Sequence, residues 1–340
     1  MNALQQKMGP LSPKATAHGG NGAGGMSAQP AATEPKAEVL PVGFAWSLDR
    51  SCDLGRAMLA ASRRLREAGC DSPQLDSALL MAHVLNVSKT WLYAHPHRRL
   101  TEAEIVQFEA LVRRRIRQEP VAYLVGHKAF YGLDIIVNRE VLIPRPETEL
   151  LVERVLDHVR YLQTKGEQPL VADIGTGSGA IAVAIAANAP GIKVFAVDVS
   201  AGALAVAGEN IVRYGLEGQV ELLSGNLTDP LPTAVDVIVA NLPYVATPEI
   251  ASLPATVRDY EPLLALDGGP DGLQAFRAFF DGLVRAGPEA KLRPGGRIYL
   301  EIGADQGPAV KLLAELALPG ADVYVLPDYS GRDRIVVAAT

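Results

Sequence analysis

The sequence predicts an α/β protein: a doubly wound, mainly parallel sheet preceded by a small helical bundle. Three observations carry this reading. From Leu170 onward, short apolar runs alternate with stretches of helical composition, the pattern of a parallel sheet covered by helices on both faces. A glycine-rich segment, Asp173-Ile-Gly175-Thr176-Gly177-Ser178-Gly179, separates the first of these runs from the next helix. Between Asp53 and Gln118 the apolar residues recur instead at helical spacing.

In order along the chain, residues 1–45 are rich in Gly, Pro, Ala and Ser without a hydrophobic period. They bury too little surface to offset their ordering entropy and are expected to be a disordered tail. Residues 46–120 read as the helical unit. Leu54, Met58, Leu59 and Ala61 begin one apolar face, and Leu75, Ala78, Leu79, Ala82 and Leu85 make a second. Asp71 and Ser72 are capping candidates ahead of Pro73, and Thr101 with Glu104 reads as a capping box opening a third helix. Residues 121–145 read as a β-hairpin linker, with extended runs at Phe130 to Val137 and Glu140 to Ile143 around a turn at Asn138 and Arg139. Residues 146–340 form the sheet domain. Its expected strands are Leu170 to Ile174, Val194 to Asp198, Val220 to Leu223, Val235 to Ala240 and Ile298 to Ile302, with a terminal hairpin of Val323 to Leu326 and Ile335 to Ala338 on one edge. Ala180 to Ala189 and Ala201 to Tyr214 carry helical composition between strands.

The composition narrows the function. Hydrophobic residues are 48% and charged residues 21% of the chain, an ordinary globular balance. The net charge of −6 argues against broad binding to a phosphate backbone, which needs clustered cations. One cluster exists, Arg113, Arg114, Arg115 and Arg117, and reads as a solvated helix face. No apolar run is long enough to cross a bilayer, and no signal peptide is visible, so a cytoplasmic protein is expected. Cys52 and Cys70 have no metal or redox spacing and read as reduced structural residues. His83 and His127 lack a companion at ligand spacing, so no metal site is expected. Trp46 and Trp91 read as packing residues.

The chemistry lies in two loops. Glycines at 175, 177 and 179 permit a sharp strand-to-helix turn and close ligand approach, and the helix behind them offers free N–H groups. Asp198 ends the next strand, about 20 residues on, where an acid accepts hydrogen bonds from ribose hydroxyls. The spacing is G-x-G-x-G, not the dinucleotide G-x-G-x-x-G, and the acid Asp173 precedes it. A carboxylate there suits the ammonium of S-adenosyl-L-methionine, so the loop favours that cofactor over NAD.

The second loop, Asn241-Leu242-Pro243-Tyr244, follows the fourth strand. In a doubly wound sheet it faces the glycine loop across the crevice at the strands' carboxyl ends. An amide nitrogen is a poor nucleophile because its lone pair is delocalised into the carbonyl. Its two N–H donors can be held by the Asn241 side-chain oxygen and a backbone carbonyl, which fixes the lone pair for attack. The same acceptors stabilise positive charge developing on nitrogen. Tyr244 offers a flat face for a planar amide or base.

Together these residues resemble the release-factor glutamine methyltransferases, the HemK/PrmC family. The resemblance extends to Glu119-Pro-Val-Ala-Tyr123, to Val141-Leu-Ile-Pro-Arg-Pro-Glu-Thr-Glu149, to Tyr260-Glu-Pro262, Leu266-Asp-Gly-Gly269, Asp271-Gly-Leu273 and Pro294-Gly-Gly296 with Glu301, and to Ser330-Gly-Arg-Asp-Arg334. It implies a class I methyltransferase domain with a Rossmann-like sheet, carrying a helical substrate-recognition domain. It further implies S-adenosyl-L-methionine as cofactor, and as acceptor the glutamine of the Gly-Gly-Gln loop of peptide chain release factors. The implied cofactor residues are Asp173, Gly175 to Gly179, Asp198, Asn226, Leu227 and Asn241. Asn241, Leu242, Pro243 and Tyr244 are the implied acceptor clamp. Two positions depart from the family pattern: Leu242 stands where proline is usual, and Asn226 where aspartate is common.

Outside these motifs, Arg145, Glu147 and Glu149 read equally as active-site wall or as helix cap and decoration, and Glu301 equally as structural or functional. Three other functions fit parts of the pattern: an adenine-amino methyltransferase acting on DNA or RNA, a non-catalytic translation-associated binding protein, and an NAD-dependent oxidoreductase.

Overall fold

The structure is a computed structural model that describes residues 47–49 and 52–340. The expected disordered tail at 1–45 and Trp46 lie outside the described residues. The described residues form one compact unit.

Helical spacing in the first third builds α1 (Leu54–Glu67), α2 (Pro73–Leu85), α3 (Lys89–Ala94), α4 (Glu102–Ile116) and α5 (Val121–Val125). Asp53 caps α1 through its side chain, Pro73 opens α2, and Thr101 with Glu104 forms the expected capping box of α4. Ser72 occupies the cap position of α2 without a side-chain bond. The bundle closes around Leu54, Leu65, Leu80, Met81, Ile105 and Phe108, all buried. Cys52 and Cys70 are free and buried in the same cluster.

The arginine cluster at the end of α4 is a solvated face except at Arg115. Arg115 is buried and donates to Asp76 Oδ2 at 2.8 Å, Arg113 pairs with Glu109, and Arg114 with the buried Glu119. The stripe holds at the exposed Arg113, Arg114 and Arg117, while Arg115 turns inward to its carboxylate. Glu119 also accepts from Arg139, and the Tyr260 hydroxyl donates to the Arg117 carbonyl at 2.6 Å. The first bond fastens the helical segment to the linker and the second fastens it to the sheet domain.

The hairpin is shifted from its expected place. It pairs β1 (His127–Phe130) with β2 (Leu133–Ile136) around Tyr131 and Gly132, which have φ of 48° and 75°. Two consecutive residues of positive φ match the right-handed twist of a tight hairpin. The run from Glu140 to Ile143 alternates in burial as a strand does but has no strand neighbour. Its backbone bonds go elsewhere: the Tyr123 hydroxyl donates to the Val141 carbonyl, and the Ile143 amide to Glu261.

Beyond α6 (Pro146–Thr164) the alternation is as expected: β3 (Leu170–Ile174), α7 (Ala180–Asn188), β4 (Lys193–Asp198), α8 (Ala201–Arg213), β5 (Val220–Ser224) and β6 (Val235–Ala240). The short α9 (Ala255–Arg258), then α10 (Gln274–Ala286), β7 (Leu292–Glu301), α11 (Gly307–Ala317), β8 (Asp322–Pro327) and β9 (Asp333–Ala339) complete the chain. The sheet order is β5-β4-β3-β6-β7-β9-β8, parallel through β7 and antiparallel at the β9–β8 edge. Period-2 alternation divides each apolar strand between two cores. Val171, Val237 and Val239 face the core shared with α6 and α7, whereas Ala172, Ile174, Ile238 and Ala240 face Phe276 and Phe279 of α10. Each fully buried phenylalanine contributes about 2–3 kcal/mol by removing its ring from water. No helix among the described residues is long and apolar enough to cross a membrane.

Candidate active site

The strand order reverses between β3 and β6, so the loops after β3, β4 and β6 meet at one edge of the sheet. The glycine loop is held from behind: the Gly175 and Thr176 amides both donate to the Val197 carbonyl at 2.9 Å. Gly175, Gly177 and Gly179 have φ of 73°, 55° and 75°, a region that L side chains rarely occupy. Gly179 has a further reason, since a Cβ there would lie 3.1 Å from that of Ala207, where α7 packs on α8.

A cavity of about 660 Å³ opens above this loop, within the range of ligand sites. It gathers Gly175, Thr176, Gly177, Ser178, Asp198, Asn226, Leu227, Asn241, Leu242 and Pro243, ten residues expected from two separate motifs and a third loop. The two motifs touch: a side chain at Gly175 would lie 3.7 Å from Leu242 Cδ2.

Three expected residues stand off the cavity wall: Asp173, Gly179 and Tyr244. Strand alternation turns Asp173 beneath the loop, fully buried, where Oδ2 accepts from the Thr176 hydroxyl at 2.6 Å and the Ala182 amide at 3.1 Å. Burial lifts its pKa to about 7. Through Oδ2 it props the loop, and its Oδ1 is buried without a hydrogen-bond partner. Tyr244 packs its ring against the α10 core and does not line the cavity. Burial raises its hydroxyl to about 12, and its carbonyl accepts from Gln306 Nε2 at 2.9 Å.

Glu140 and Thr148 were not singled out as functional, and Arg145 was read equally as wall or cap. Glu140 lines the cavity, with its carboxylate against Gly202 in the first turn of α8, where negative charge is favoured. Arg145 lines it too, anchored to the buried Glu261 at 2.6 Å. Of its two acidic neighbours, Glu149 holds the hairpin by accepting from the Tyr131 amide, and Glu147 is exposed. Thr148, buried, accepts from Asn241 Nδ2 at 3.2 Å. That bond leaves Oδ1 as the end of Asn241 free to accept from a ligand. Among the described residues no hydrogen bond reaches the Leu242 carbonyl, so a second acceptor is available beside it. Gly268 and Gly272 support the loop from the far side: a Cβ would come within 2.8 Å of the Pro243 carbonyl at one and 2.5 Å of the Tyr244 carbonyl at the other. Only the family motifs around 266–273 signalled these glycines.

The residues present fit a nucleoside-bearing cofactor. The Gly175 and Gly177 backbone leaves open a cradle that a side chain would fill. Asp198 accepts from the Gly177 amide on Oδ2 and from the Ser200 amide on Oδ1, and each oxygen keeps a lone pair for a ribose hydroxyl. Asn226 and Leu227 add a carboxamide and an apolar side chain at the end of β5.

Known proteins give the same frame. The family model described as PrmC N-terminal domain matches residues 56–126, and that described as methyltransferase small domain matches residues 147–255. The chain is 43% identical over 286 residues to the release factor glutamine methyltransferase of Moorella thermoacetica, covering 84% of this chain and 98% of that protein. It is 42% identical over 284 residues to that of Cereibacter sphaeroides, covering 83% and 96%. With that of Gloeobacter violaceus the identity is 48% over 239 residues, covering 69% and 80%. Relatives so similar, over nearly their whole length and across both the helical segment and the two loops that meet at the cavity, leave one assignment: the chain belongs to the release factor glutamine methyltransferase family.

Proposed function

We propose that this chain transfers a methyl group from S-adenosyl-L-methionine to the side-chain amide nitrogen of the glutamine in the Gly-Gly-Gln loop of a peptide chain release factor. The observation that carries this reading is the Asn241–Thr148 bond of 3.2 Å, which leaves an acceptor oxygen available in the cavity that also holds the glycine loop and Asp198. An acceptor suits a nitrogen that still carries two protons; it would not suit a carboxylate or a thiolate.

Asp198, the 175–179 backbone, Asn226 and Leu227 would hold the cofactor, which supplies a methyl group on a positively charged sulfur. The chain's own task is then positional. Asn241 Oδ1 and the Leu242 carbonyl each accept one N–H of the glutamine amide, which turns the nitrogen lone pair away from both. Fixing that direction contributes several kcal/mol, about what a well-placed near-attack geometry gives. Leucine at 242 keeps the carbonyl that the clamp needs and loses only the fixed φ of proline. Glu119 and Tyr260, which tie the helical segment to the linker and to the sheet domain, make that segment the platform for the protein acceptor. A cytoplasmic location follows from such an acceptor.

Transfer of labelled methyl to purified release factor, beside a copy with the loop glutamine changed to alanine, tests the reading. Label on the first and none on the second is expected. Equal label on both overturns the assignment of the acceptor.

A further inference from the structure

We propose that Thr148 and Glu301 are positioning residues that set which end of the Asn241 carboxamide faces the acceptor, through a relay from the Glu301 carboxylate to the Thr148 hydroxyl to Asn241 Nδ2. The inference deepens the proposed function and rests on its reading of Asn241 as the amide clamp.

A carboxamide has almost the same outline either way round, yet one end only accepts and the other only donates. Reversed, Asn241 would present its own N–H groups to those of the glutamine and repel it. Nothing within Asn241 makes the choice. Thr148, in the first turn of α6, takes a hydrogen bond from Asn241 Nδ2 at 3.2 Å. A hydroxyl could equally donate in that direction, so Thr148 decides nothing until its own proton is committed elsewhere.

Glu301 commits it. The residue ends β7, is 1% exposed, and faces the Thr148 hydroxyl and the Asn241 amide, both of which favour its anion. A carboxylate only accepts. The Thr148 proton therefore points to Glu301, its lone pairs point to Asn241, and Asn241 turns Oδ1 outward. Glu301 Oε2 has no hydrogen-bond partner although buried.

The groups facing Glu301 are Thr148 and Glu147 from α6, Asn241 and Tyr244 from the loop after β6, and Arg334 from β9. Arg334 is the cation among them. Its guanidinium bonds to the Ile302 carbonyl at 3.1 Å and Asp328 at 3.3 Å, so it favours the Glu301 anion through space. Burial outweighs it and lifts Glu301 to about 7. Once protonated, Glu301 can donate to Thr148, and the relay loses its direction.

The test measures kcat and KM for methyl transfer to release factor at saturating S-adenosyl-L-methionine, from about pH 5.5 to 9. The full chain is compared with Thr148→Val, Thr148→Ser and Glu301→Gln, with cofactor affinity followed by calorimetry. Valine should lower kcat about 100-fold with cofactor affinity held, and serine should restore most of it, since misdirecting a reacting group costs on that order. Glu301→Gln should lower kcat and remove the limb along which wild-type kcat falls below pH 7. It keeps the shape of glutamate and carries the test alone if valine at 148 unfolds the chain. Transfer by the wild type with kcat and pH profile unchanged in the variants overturns the relay alone. No transfer by the cofactor-bound wild type overturns the glutamine reading and the relay with it.

Discussion

The backbone amide of Gly177 donates to Asp198 Oδ2 at 2.8 Å, so the loop that ends β3 is tied to the acid that ends β4. One carboxylate thus shapes the glycine loop and offers acceptors to a ribose. Removing it removes both. Asp198→Ala is expected to weaken S-adenosyl-L-methionine by about 10- to 100-fold, the worth of one or two hydrogen bonds to a charged group. Calorimetric titration checks this, and unchanged affinity would take Asp198 out of the site.

Asn241→Ala separates binding from transfer. The alanine variant keeps Asp198 and the loop backbone but loses the oxygen assigned to the acceptor amide. Its kcat is expected to fall by about 100-fold or more, the usual effect of deleting one group aimed at developing charge. Cofactor affinity should stay within about 3-fold, or roughly 0.6 kcal/mol. Equal loss of both in labelled-methyl and calorimetric assays would mean that Asn241 serves the cofactor.

How much of this was legible in the sequence depends on the range of each interaction. Leu170–Ile174 and Val235–Ala240 were readable because buried parallel strands are continuous apolar runs. The glycine loop and Asp198 were readable because their spacing follows from a strand-helix-strand unit. The hairpin was misplaced because Asn138 and Arg139 resemble a turn, whereas the actual turn places Tyr131, a bulky residue, at positive φ. Glu140 to Ile143 has strand periodicity, but an extended segment becomes a strand only with a backbone neighbour, and this one bonds to Tyr123 and Glu261. The Asn241–Thr148 bond spans 93 positions, which no local pattern encodes. Asp173 and Tyr244 were legible as motif members, but that neither lines the cavity depends on packing that a local pattern does not encode.

The buried pair of Arg115 and Asp76 tests the helical unit. With side-chain exposures of 8% and 9%, neither charge has water to fall back on once its partner is gone. Asp76→Ala should therefore cost about 3–5 kcal/mol. A thermal melt should show that loss. A melt unchanged from wild type would mean that Arg115 finds another partner.

Gly272→Ala probes the support of the acceptor loop without touching the cavity, since Gly272 is absent from its lining. Its φ of 73° already penalises alanine, and the new Cβ would meet the Tyr244 carbonyl at 2.5 Å and Gln306 Nε2 at 2.7 Å. The Gln306–Tyr244 bond must then move, and the Leu242–Pro243 segment with it. A shift on the order of 1 Å is enough to lower kcat about 100-fold, while the glycine loop, on the next strand, is left in place. Wild-type kcat in a folded variant would show that the clamp holds its shape without this contact.

The last prediction concerns acidity and the fold. Asp173 has its pKa raised by burial from 3.8 to about 7. The folded state therefore holds this proton more tightly than the unfolded chain does. The contribution to stability is fully present below the unfolded value and is lost as pH rises through about 7. Thr176 and the Ala182 amide oppose the shift but do not cancel it. Asp173→Asn keeps an oxygen for both of those donors and cannot ionise. Denaturant titrations between about pH 4 and 8 should show wild-type stability declining along this window relative to the variant, whose slope is flatter. Parallel curves would mean that Asp173 ionises in the folded chain as readily as in water, which would require the loop above it to open.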